Sequence, residues 1–523
     1  MSKSKLEKLN KFVDQFYELL NNNNFADAKQ LLDAYVKETG DTLNIAGCKI
    51  DLGTHSATKT YIEDGISTYK KALEKDIGLQ IKHKQSFNYY NGNGYMSLNS
   101  IIKATKGTNY RAFKDNQELL EAAKYFKESM NQGNREPTIF TNYGNLLDIQ
   151  GRYLEAINFY DKAIKANQQW GMAFGNKAIS VISLAQISGK YQTAQYIYAY
   201  QLLKKAVEFQ DNVIQIGGTQ ALAEFSKRMI EIEKLFEDKG DLLNSDLPHS
   251  KFKTDKLNEQ LTKFYDFCLA HDLFLNLHIQ DKKCEAASTD HVFISLITPI
   301  DDNDSFYKFA GWINEMKESY LTARYLLTES DYKTKTKTQI SALTDIVYPL
   351  DYSTKNLYTG LIKASIKESF SILDKIGYFL NEYIKLEIKK EDNINWKNVW
   401  FHDLKANNPK HWFEDECTFH HKIRESDNYT LFGLFSLFLD IDDSELPNLR
   451  HQLTHRKILV KLKGSGNGKD EFTLDELNDS AIKLLVYTKT AIIYLINYVN
   501  SEENKKRSDG LIMSRFVMTD QFI

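Results

Sequence analysis

The fold is decided by the stretch PTIFTNYGNLLDIQGRYLEAINFYDKAIKAN, residues 137–167. Apolar residues recur at helical spacing on both sides of Gly151, and this glycine permits a tight turn. The small residues Gly144 and Ala156 allow two helices to approach closely, while large aromatic side chains fill the space between them. The stretch therefore predicts a helical hairpin.

The same pattern recurs at a fixed interval in the N-terminal half of the chain. Residues of similar size are separated by 34 positions in four pairs, which are Phe140 and Phe174, Gly144 and Ala178, Ala122 and Ala156, and Phe126 and Tyr160. This period is that of the tetratricopeptide (TPR) repeat, which the stretch resembles. We expect four or five hairpins to stack into a TPR-like α-solenoid over residues 1–238, and an irregular helical domain is the alternative.

One segment interrupts the period. Residues 91–118 begin with Asn91-Gly92-Asn93-Gly94, which favours turns, so we expect a loop there that is either a lid or an insertion on one face. The concave groove of a stacked array suits a protein or peptide, so a protein or peptide trigger or inhibitor is the expected partner of the array.

The remaining chain divides into three predicted parts. We place a linker at residues 239–254, where turn-forming and polar residues cluster, a second helical domain without the 34-residue period at 255–504, and a C-terminal tail at 505–523. Residues 306–328, 354–388 and 474–500 have the most regular apolar stripes of this domain. The predicted fold class is all-α.

A small β-hairpin is the one predicted exception. Ile458–Leu462 and Glu471–Leu474 are the candidate strands, and the glycine-rich run Gly464–Gly468 connects them. The run is not followed by the Lys-Ser/Thr ending of a phosphate-binding loop, and it does not lie between a strand and a helix, so phosphate binding there is disfavoured.

The bulk composition excludes several classes of protein. The net charge is −3, four cysteines lie far apart, and the N-terminus has no apolar signal-peptide core. The apolar run Ala491–Val499 is too short to span a bilayer. We expect a soluble cytoplasmic protein that does not bind a membrane.

The candidate chemistry lies in PNLRHQLTHR, residues 447–456. Acidic residues and Pro447 favour the start of a helix here, and Leu449 and Leu453 can anchor one of its faces in a core. Arg450 and His455 are five positions apart, so their side chains leave the helix about 140° from each other. Such a pair is expected about 0.7 times by chance, so its surroundings must decide its meaning.

The two side chains suit the cleavage of RNA. RNA supplies its own nucleophile, the 2′-hydroxyl, and cleavage then needs a proton acceptor, a proton donor and positive charge at the phosphate. Histidine titrates near neutral pH and can serve either proton role, and arginine holds phosphate oxygens with its planar fork. This chemistry needs no metal and no cofactor.

The motif resembles that of the HEPN superfamily (higher eukaryotes and prokaryotes nucleotide-binding), whose ribonucleases carry Arg, a polar residue, and then His after four to six intervening residues. Arg450, His451 and His455 match it, although His451 stands where Asn is commonest. Three other stretches resemble, in order, a branch that follows TPR-like repeats in prokaryotic defence and toxin proteins, namely Asp272–Asn276, Tyr348–Tyr352 and Ser371–Asn381.

The resemblance implies a helical bundle over about 255–500 that forms a homodimer with its Arg-His helices facing each other. It implies metal-independent endoribonuclease activity in a toxin or antiviral effector, controlled by the array. His455 would be the general acid or base, Arg450 the phosphate clamp and His451 a supporting polar group. Asp374 and Glu368, in the middle of a long predicted helix, either orient the Arg-His pair or are ordinary flank charges.

Other interpretations of the same residues stay open. His451 and His455 have the spacing of a zinc pair, but Gln452 replaces the expected glutamate. A third ligand would come from a set without telling spacing, which comprises His402, His411, Cys417, His420 and His421. Alternatively, Arg450 and Arg456 are surface charges and His455 an ordinary helix residue. The protein would then be a non-catalytic adaptor or a nucleotide-binding, antitoxin-like bundle.

Overall fold

The computed structural model describes most of the chain, with short gaps. The described residues are 3–40, 42–75, 79–188, 192–244, 257–279, 285–297, 303–331, 333–346, 353–388, 394–402, 419–461 and 471–506. They form twenty α-helices and two short strands, so the predicted all-α fold class is confirmed.

The N-terminal half is an array of five helical hairpins closed by one further helix. The paired helices are α1 (Lys3–Asn21) with α2 (Phe25–Thr39), α3 (Ala46–His55) with α4 (Lys59–Lys75), α5 (Ile81–Lys106) with α7 (Gln117–Asn131), α8 (Pro137–Ile149) with α9 (Tyr153–Ala166), and α10 (Gly171–Ser188) with α11 (Gln192–Glu208). The short α6 (Ala112–Asp115) lies between α5 and α7, and the closing helix α12 (Gln210–Leu235) is interrupted at Gly218.

The hairpin at residues 137–167 is built as the sequence predicts. Gly151 has φ +78°, the left-handed conformation that favours glycine, and it joins α8 to α9. At Gly144 an added Cβ would lie 2.6 Å from the ring of Tyr160, so only glycine allows this aromatic side chain to pack there. The predicted TPR-like array is confirmed.

The predicted loop at residues 91–118 is wrong over most of its length. Asn91–Gly94 lie inside the 26-residue helix α5, which pairs with α7. A Cβ at Gly92 would meet the ring of Phe126 at 2.6 Å, and a Cβ at Gly94 would meet Ile66 at 2.9 Å. The glycines therefore serve close packing between helices rather than a turn, and the segment forms no lid.

The part of that segment between α5 and α7 reaches into the C-terminal half. Phe113 on α6 is fully buried, and its ring lies 5.4 Å from that of Phe432 and 5.5 Å from that of Phe419. It also stacks at 6.5 Å from Trp400. The two halves consequently share one hydrophobic core, which runs from Ala112 to Val499.

The C-terminal half is a bundle around three long helices. Its helices are α13 (Glu259–Ala270), α14 (Asn303–Asp331), α15 (Lys335–Ala342), α16 (Leu357–Ile384), α17 (His421–Arg424), α18 (Tyr429–Asp442), α19 (Leu446–His455) and α20 (Leu474–Lys506).

Short 3-10 helices occur in both halves of the chain, at Glu237–Asn244, Gly107–Asn109, Glu285–Ser288 and Asn398–Trp400. Within the predicted linker, residues 239–244 belong to the first of these, and 245–254 lie outside the described residues.

The predicted β-hairpin is also wrong. β1 (Leu459–Lys461) and β2 (Glu471–Thr473) pair in parallel, whereas a hairpin requires antiparallel strands. β2 continues directly into α20, so the start of this helix fixes the direction of the strand. Lys461 of β1 also forms an isolated antiparallel β-bridge with Ser353. The glycine run Gly464–Gly468 lies outside the described residues, as does the tail from residue 507.

Helix α20 is long and apolar enough to cross a membrane by length and composition alone. Its most apolar window is 78% buried within the fold, so α20 is explained as a core helix. Residues such as Leu485, Ile493 and Val499 are fully buried in the core that both halves share.

A buried ionic junction joins the array to the bundle at the turn between α8 and α9. Arg152 is 2% exposed, and its Nη2 donates to Asp440 on α18 at 2.6 Å. The same guanidinium donates to Ser436 on α18 at 3.2 Å and to Glu155 at 2.6 Å. Lys127 on α7 also pairs with Asp440. The junction thus holds α7 and the turn between α8 and α9 against a single helix of the bundle.

Opposing effects set the charge state of Asp440. Burial raises the pKa of this carboxyl, but the charges of Arg152 and Lys127 outweigh burial and hold the pKa below its usual value. A carboxyl whose pKa is lower in the folded state stabilises the fold above its unfolded pKa. The contribution is lost as the pH falls through the folded pKa, so the junction is intact at neutral pH.

We predict that Arg152→Met destabilises the protein by about 3 kcal/mol, because a partner of the buried Asp440 and Glu155 is removed. The measurement is the midpoint of urea unfolding followed by circular dichroism. Arg228→Met is the matched control, since Arg228 forms ion pairs with Glu224 and Glu231 on the exposed surface of α12. We expect about 0.5 kcal/mol or less for the control. Equal effects of the two substitutions would contradict a structural role for the junction.

Candidate active site

The candidate residues lie on α19, which follows α18 after a short turn. Ser444 accepts a hydrogen bond from Leu446 N at 3.3 Å and donates to Ile441 O at 2.6 Å, so the turn connects the two helices closely. Pro447 occupies the first turn of α19, as the sequence predicted. The helix ends at His455, where Arg456 N donates to Gln452 O.

One face of α19 anchors the helix in the bundle. Leu446, Leu449 and Leu453 are 3%, 3% and 8% exposed, and Gln452 is buried beside them. The predicted anchoring by Leu449 and Leu453 is therefore confirmed. The opposite face is open to solvent and carries Arg450, His451, Thr454 and His455.

Arg450 is held by α16. Its Nη2 donates to Asp374 Oδ2 at 2.6 Å, and its Nη1 lies 3.5 Å from Asp374 Oδ1. The guanidinium carbon also lies 5.4 Å from the centre of the Phe370 ring. The carboxylate and the aromatic ring together restrict the direction of the arginine fork. The sequence left the role of Asp374 open, and the structure makes it the partner of Arg450.

The two histidines lie together on the exposed face. The centres of the His451 and His455 rings are 5.1 Å apart, as expected for residues four positions apart on a helix. Arg450 and His455 start from different sides of α19 but share its open surface. Thus all three predicted side chains are exposed on α19, and Arg450 is turned toward α16.

An open cavity of about 670 Å³ borders α19 on the side of His451. Most of its charged lining residues are acidic, with Glu445, Glu471, Glu476 and Asp479 beside Arg456. Neither Arg450 nor His455 lines it. Carboxylates repel phosphate, so this cavity is poorly suited to an RNA backbone, although it borders the candidate residues.

The described part of the chain adds no third ligand to the zinc interpretation. Among the described residues, no group of three or more His, Cys, Asp or Glu side chains is arranged to hold a metal ion. His402 and His420 lie with ring centres 5.8 Å apart, and burial followed by the neighbouring His402 lowers the pKa of His420. His411 and Cys417 lie outside the described residues.

Residues 300–502 match the family model of the LA2681-like HEPN domains. These residues form an LA2681-like HEPN domain. The match begins shortly before α14 and ends within α20, so it includes α16, α18 and the whole of α19. HEPN domains include ribonucleases, and the match therefore supports a nuclease-type function in general.

The other comparisons are more distant. The solved structures that match include that of YrrB, described as a TPR protein with an unusual peptide-binding site. The identity is 13%, the match covers 40% of this chain and 95% of that chain, and the TM-score is 0.21. No curated protein matches the chain.

Sequence reasoning missed one feature next to the HEPN motif. Lys363 and Lys367 lie on the same side of α16 as Phe370 and Asp374, the two residues that contact Arg450. Counting helical positions back from Asp374 would have found these lysines. No pattern in the sequence, however, indicates that α19 packs against that particular side of α16.

We predict that Asp374→Asn changes the free energy of unfolding by less than about 1 kcal/mol, because the side chains of Arg450 and Asp374 are 46% and 24% exposed. The midpoint of urea unfolding measures this change. A loss as large as that expected for Arg152→Met would show that the ion pair holds the bundle together. The Arg450–Asp374 pair would then be structural rather than part of a site.

Proposed function

We propose that the protein is a metal-independent endoribonuclease whose HEPN domain cuts RNA under the control of the TPR-like array. The observation that carries the proposal is the exposed surface of α19, where Arg450, His451 and His455 occur together inside an HEPN domain. Arg450 is oriented by Asp374, and α19 is anchored from below by its leucines. The arrangement supplies proton-handling groups and a fixed positive charge.

In the proposed reaction the 2′-hydroxyl of RNA attacks the adjacent phosphorus. His455 accepts the proton of the hydroxyl as the 2′-oxygen–phosphorus bond forms, and Arg450 stabilises the charge on the phosphate oxygens. The bond from phosphorus to the 5′-oxygen then breaks, and the leaving oxygen receives a proton from a second group. The products are a 2′,3′-cyclic phosphate and a 5′-hydroxyl, so the atoms and charges balance without a metal or a cofactor.

The second proton-handling group is the reason to propose a homodimer. His451 lies beside His455 on the same surface and is the supporting group within one subunit. A second copy that faces α19 across a two-fold axis would bring another His455 and another Arg450 to the same phosphate. The open surface of α19 leaves room for such a partner.

Control by the array is proposed from the position of the ionic junction. Arg152 and Lys127 of the array bind Asp440 near the end of α18, and α19 begins four residues after α18 ends. A protein or peptide trigger that moves the hairpins would therefore act on the helix next to the motif. We propose a cytoplasmic defence or toxin effector as the setting.

The principal test compares Arg450→Ala, His451→Ala and His455→Ala with the wild type on single-stranded RNA. We expect the cleavage rate to fall about 10²–10⁴-fold for His455→Ala and about 10²–10³-fold for Arg450→Ala, with a smaller loss for His451→Ala. Cleavage by the wild type should continue in EDTA and leave 2′,3′-cyclic phosphate ends. His83→Ala, an exposed histidine of the array, is the matched control.

Expression in cells gives the same comparison in the presence of a natural trigger. Growth arrest and RNA fragmentation with the wild type, and with neither Arg450→Ala nor His455→Ala, is the expected result. If wild type and both variants fragment RNA to the same extent, the assignment of the site is wrong. Identical behaviour of all three without RNA fragments under the triggering condition favours the alternatives, a non-catalytic adaptor or a nucleotide-binding, antitoxin-like bundle.

Asp374 is proposed as a positioning residue, because it contacts Arg450 rather than the reacting atoms. We predict that Asp374→Asn lowers kcat about tenfold and changes KM little, since the arginine loses its orientation but keeps its charge. Asp374→Glu should restore part of kcat. A large change in KM with an unchanged kcat would contradict the positioning role and indicate that Asp374 affects substrate binding.

A further inference from the structure

The surroundings of α19 differ sharply in charge from one side to the other. The cavity beside His451 is bordered by four carboxylates. On the other side α19 contacts α16, where Arg450 reaches Asp374 and Phe370. Asp374 is already paired with Arg450, so the positive charges farther along α16 decide the potential on that side.

Two lysines continue the line that begins at Asp374. With 100° per residue, Lys367 and Lys363 lie within about 20° of Asp374 around the helix axis. They lie roughly 10 and 16 Å from it along the axis, at 1.5 Å per residue. Lys367 is exposed and Lys363 is half-buried. Lys355, Lys363 and Lys367 are called the lysine stripe below.

The lysine stripe runs beside the segment that carries the candidate catalytic residues. Arg450 contacts α16 at Asp374, and farther along the chain Val460 O accepts a hydrogen bond from Thr354 N at 2.7 Å, immediately before the helix. The segment from 450 to 460 therefore passes along α16 in the opposite direction. His455 lies between these two contacts. Lys363 and Lys367 occupy the same interval on α16, and Lys355 lies just before the helix begins.

The three lysines of the stripe lie close enough to repel one another. None of the three lysines forms an ion pair with a carboxylate in the described part of the chain. Burial lowers the pKa of Lys363, and repulsion from Lys355 and Lys367 lowers it further. This repulsion between ammonium groups is unfavourable, and a bound polyanion would relieve it.

We propose that Lys355, Lys363 and Lys367 bind the phosphates of a single RNA strand and lead it along α16 to Arg450 and His455. The inference rests on the proposed function, and it names the side of α19 from which the substrate arrives. A line of separate cations that ends at Arg450 suits a strand with regularly spaced phosphates. The acidic cavity on the other side of α19 disfavours passage of the strand there.

The test measures binding separately from cleavage. The full chain is titrated against a fluorescein-labelled 2′-O-methyl oligouridine, which has no free 2′-hydroxyl and so cannot be cut by the proposed reaction. Fluorescence anisotropy gives Kd at several salt concentrations. For single strands the slope of log K against log salt changes by about 0.7 for each phosphate contact.

We expect Lys363→Gln with Lys367→Gln to raise Kd about tenfold and to reduce the salt slope by about 1.4. Lys367→Gln alone should reduce the slope by about 0.7, and it avoids any change at the half-buried Lys363. Lys71→Gln with Lys75→Gln is the matched control, because these two exposed lysines have the same four-residue spacing on α4. The control should match the wild type.

The outcomes separate this inference from the proposed function. An unchanged slope in the double variant, or no binding of the oligouridine by the wild type, overturns the lysine stripe as an RNA path. Competition by polyglutamate as strong as that by unlabelled RNA overturns RNA as its occupant and indicates an acidic protein. Loss of binding in the double variant, together with full cleavage by His455→Ala, would sustain the RNA path and reject the catalytic assignment.

Discussion

The architecture depends on a buried charge being matched across the boundary between the array and the bundle. Asp440 lies within the apolar α18, and it is compatible with that environment because Arg152 and Lys127 neutralise it. Around this junction the backbones come very close. A Cβ at Gly151 would lie 2.4 Å from Tyr429 O, and a Cβ at Gly433 would lie 2.9 Å from Gln150 O. The two glycines permit the backbones to approach this closely, and the ionic junction specifies which surfaces of the array and the bundle meet.

This junction gives the array a physical connection to the motif. Helix α18 is buried along nearly its whole length, so it has little freedom to shift without its neighbours. The array holds α18 through Arg152 and through the fully buried ring of Phe113 on α6. Because α19 follows after a short, hydrogen-bonded turn, the position of the motif is coupled to the array by packing rather than by a flexible linker.

Polarity around α19 is as informative as the motif itself. The cavity beside His451 is lined by carboxylates, whereas α16 carries Lys363 and Lys367. Judged by size alone, the cavity would be chosen as the substrate site. Judged by charge, a phosphate backbone binds better on the side of Arg450 and the lysine stripe. Repulsion between phosphate and the carboxylates of the cavity outweighs the advantage of the cavity's space. Asp374 then has a specific role, because it orients Arg450 and neutralises only this one charge. The side of α19 that faces α16 keeps a positive electrostatic potential.

The sequence by itself determined the helical hairpins, their 34-residue period, the anchoring of α19 by Leu449 and Leu453 and the HEPN motif, because each depends on local spacing along the chain. It misassigned Asn91–Gly94 as a turn, since glycine looks the same in a turn and at a close helix contact, and it predicted antiparallel instead of parallel strands. Only the tertiary structure decided that Asp374 pairs with Arg450 and that Arg152 pairs with Asp440. These pairs join residues 76 and 288 positions apart in the chain, and no local pattern encodes which helix faces meet over such separations.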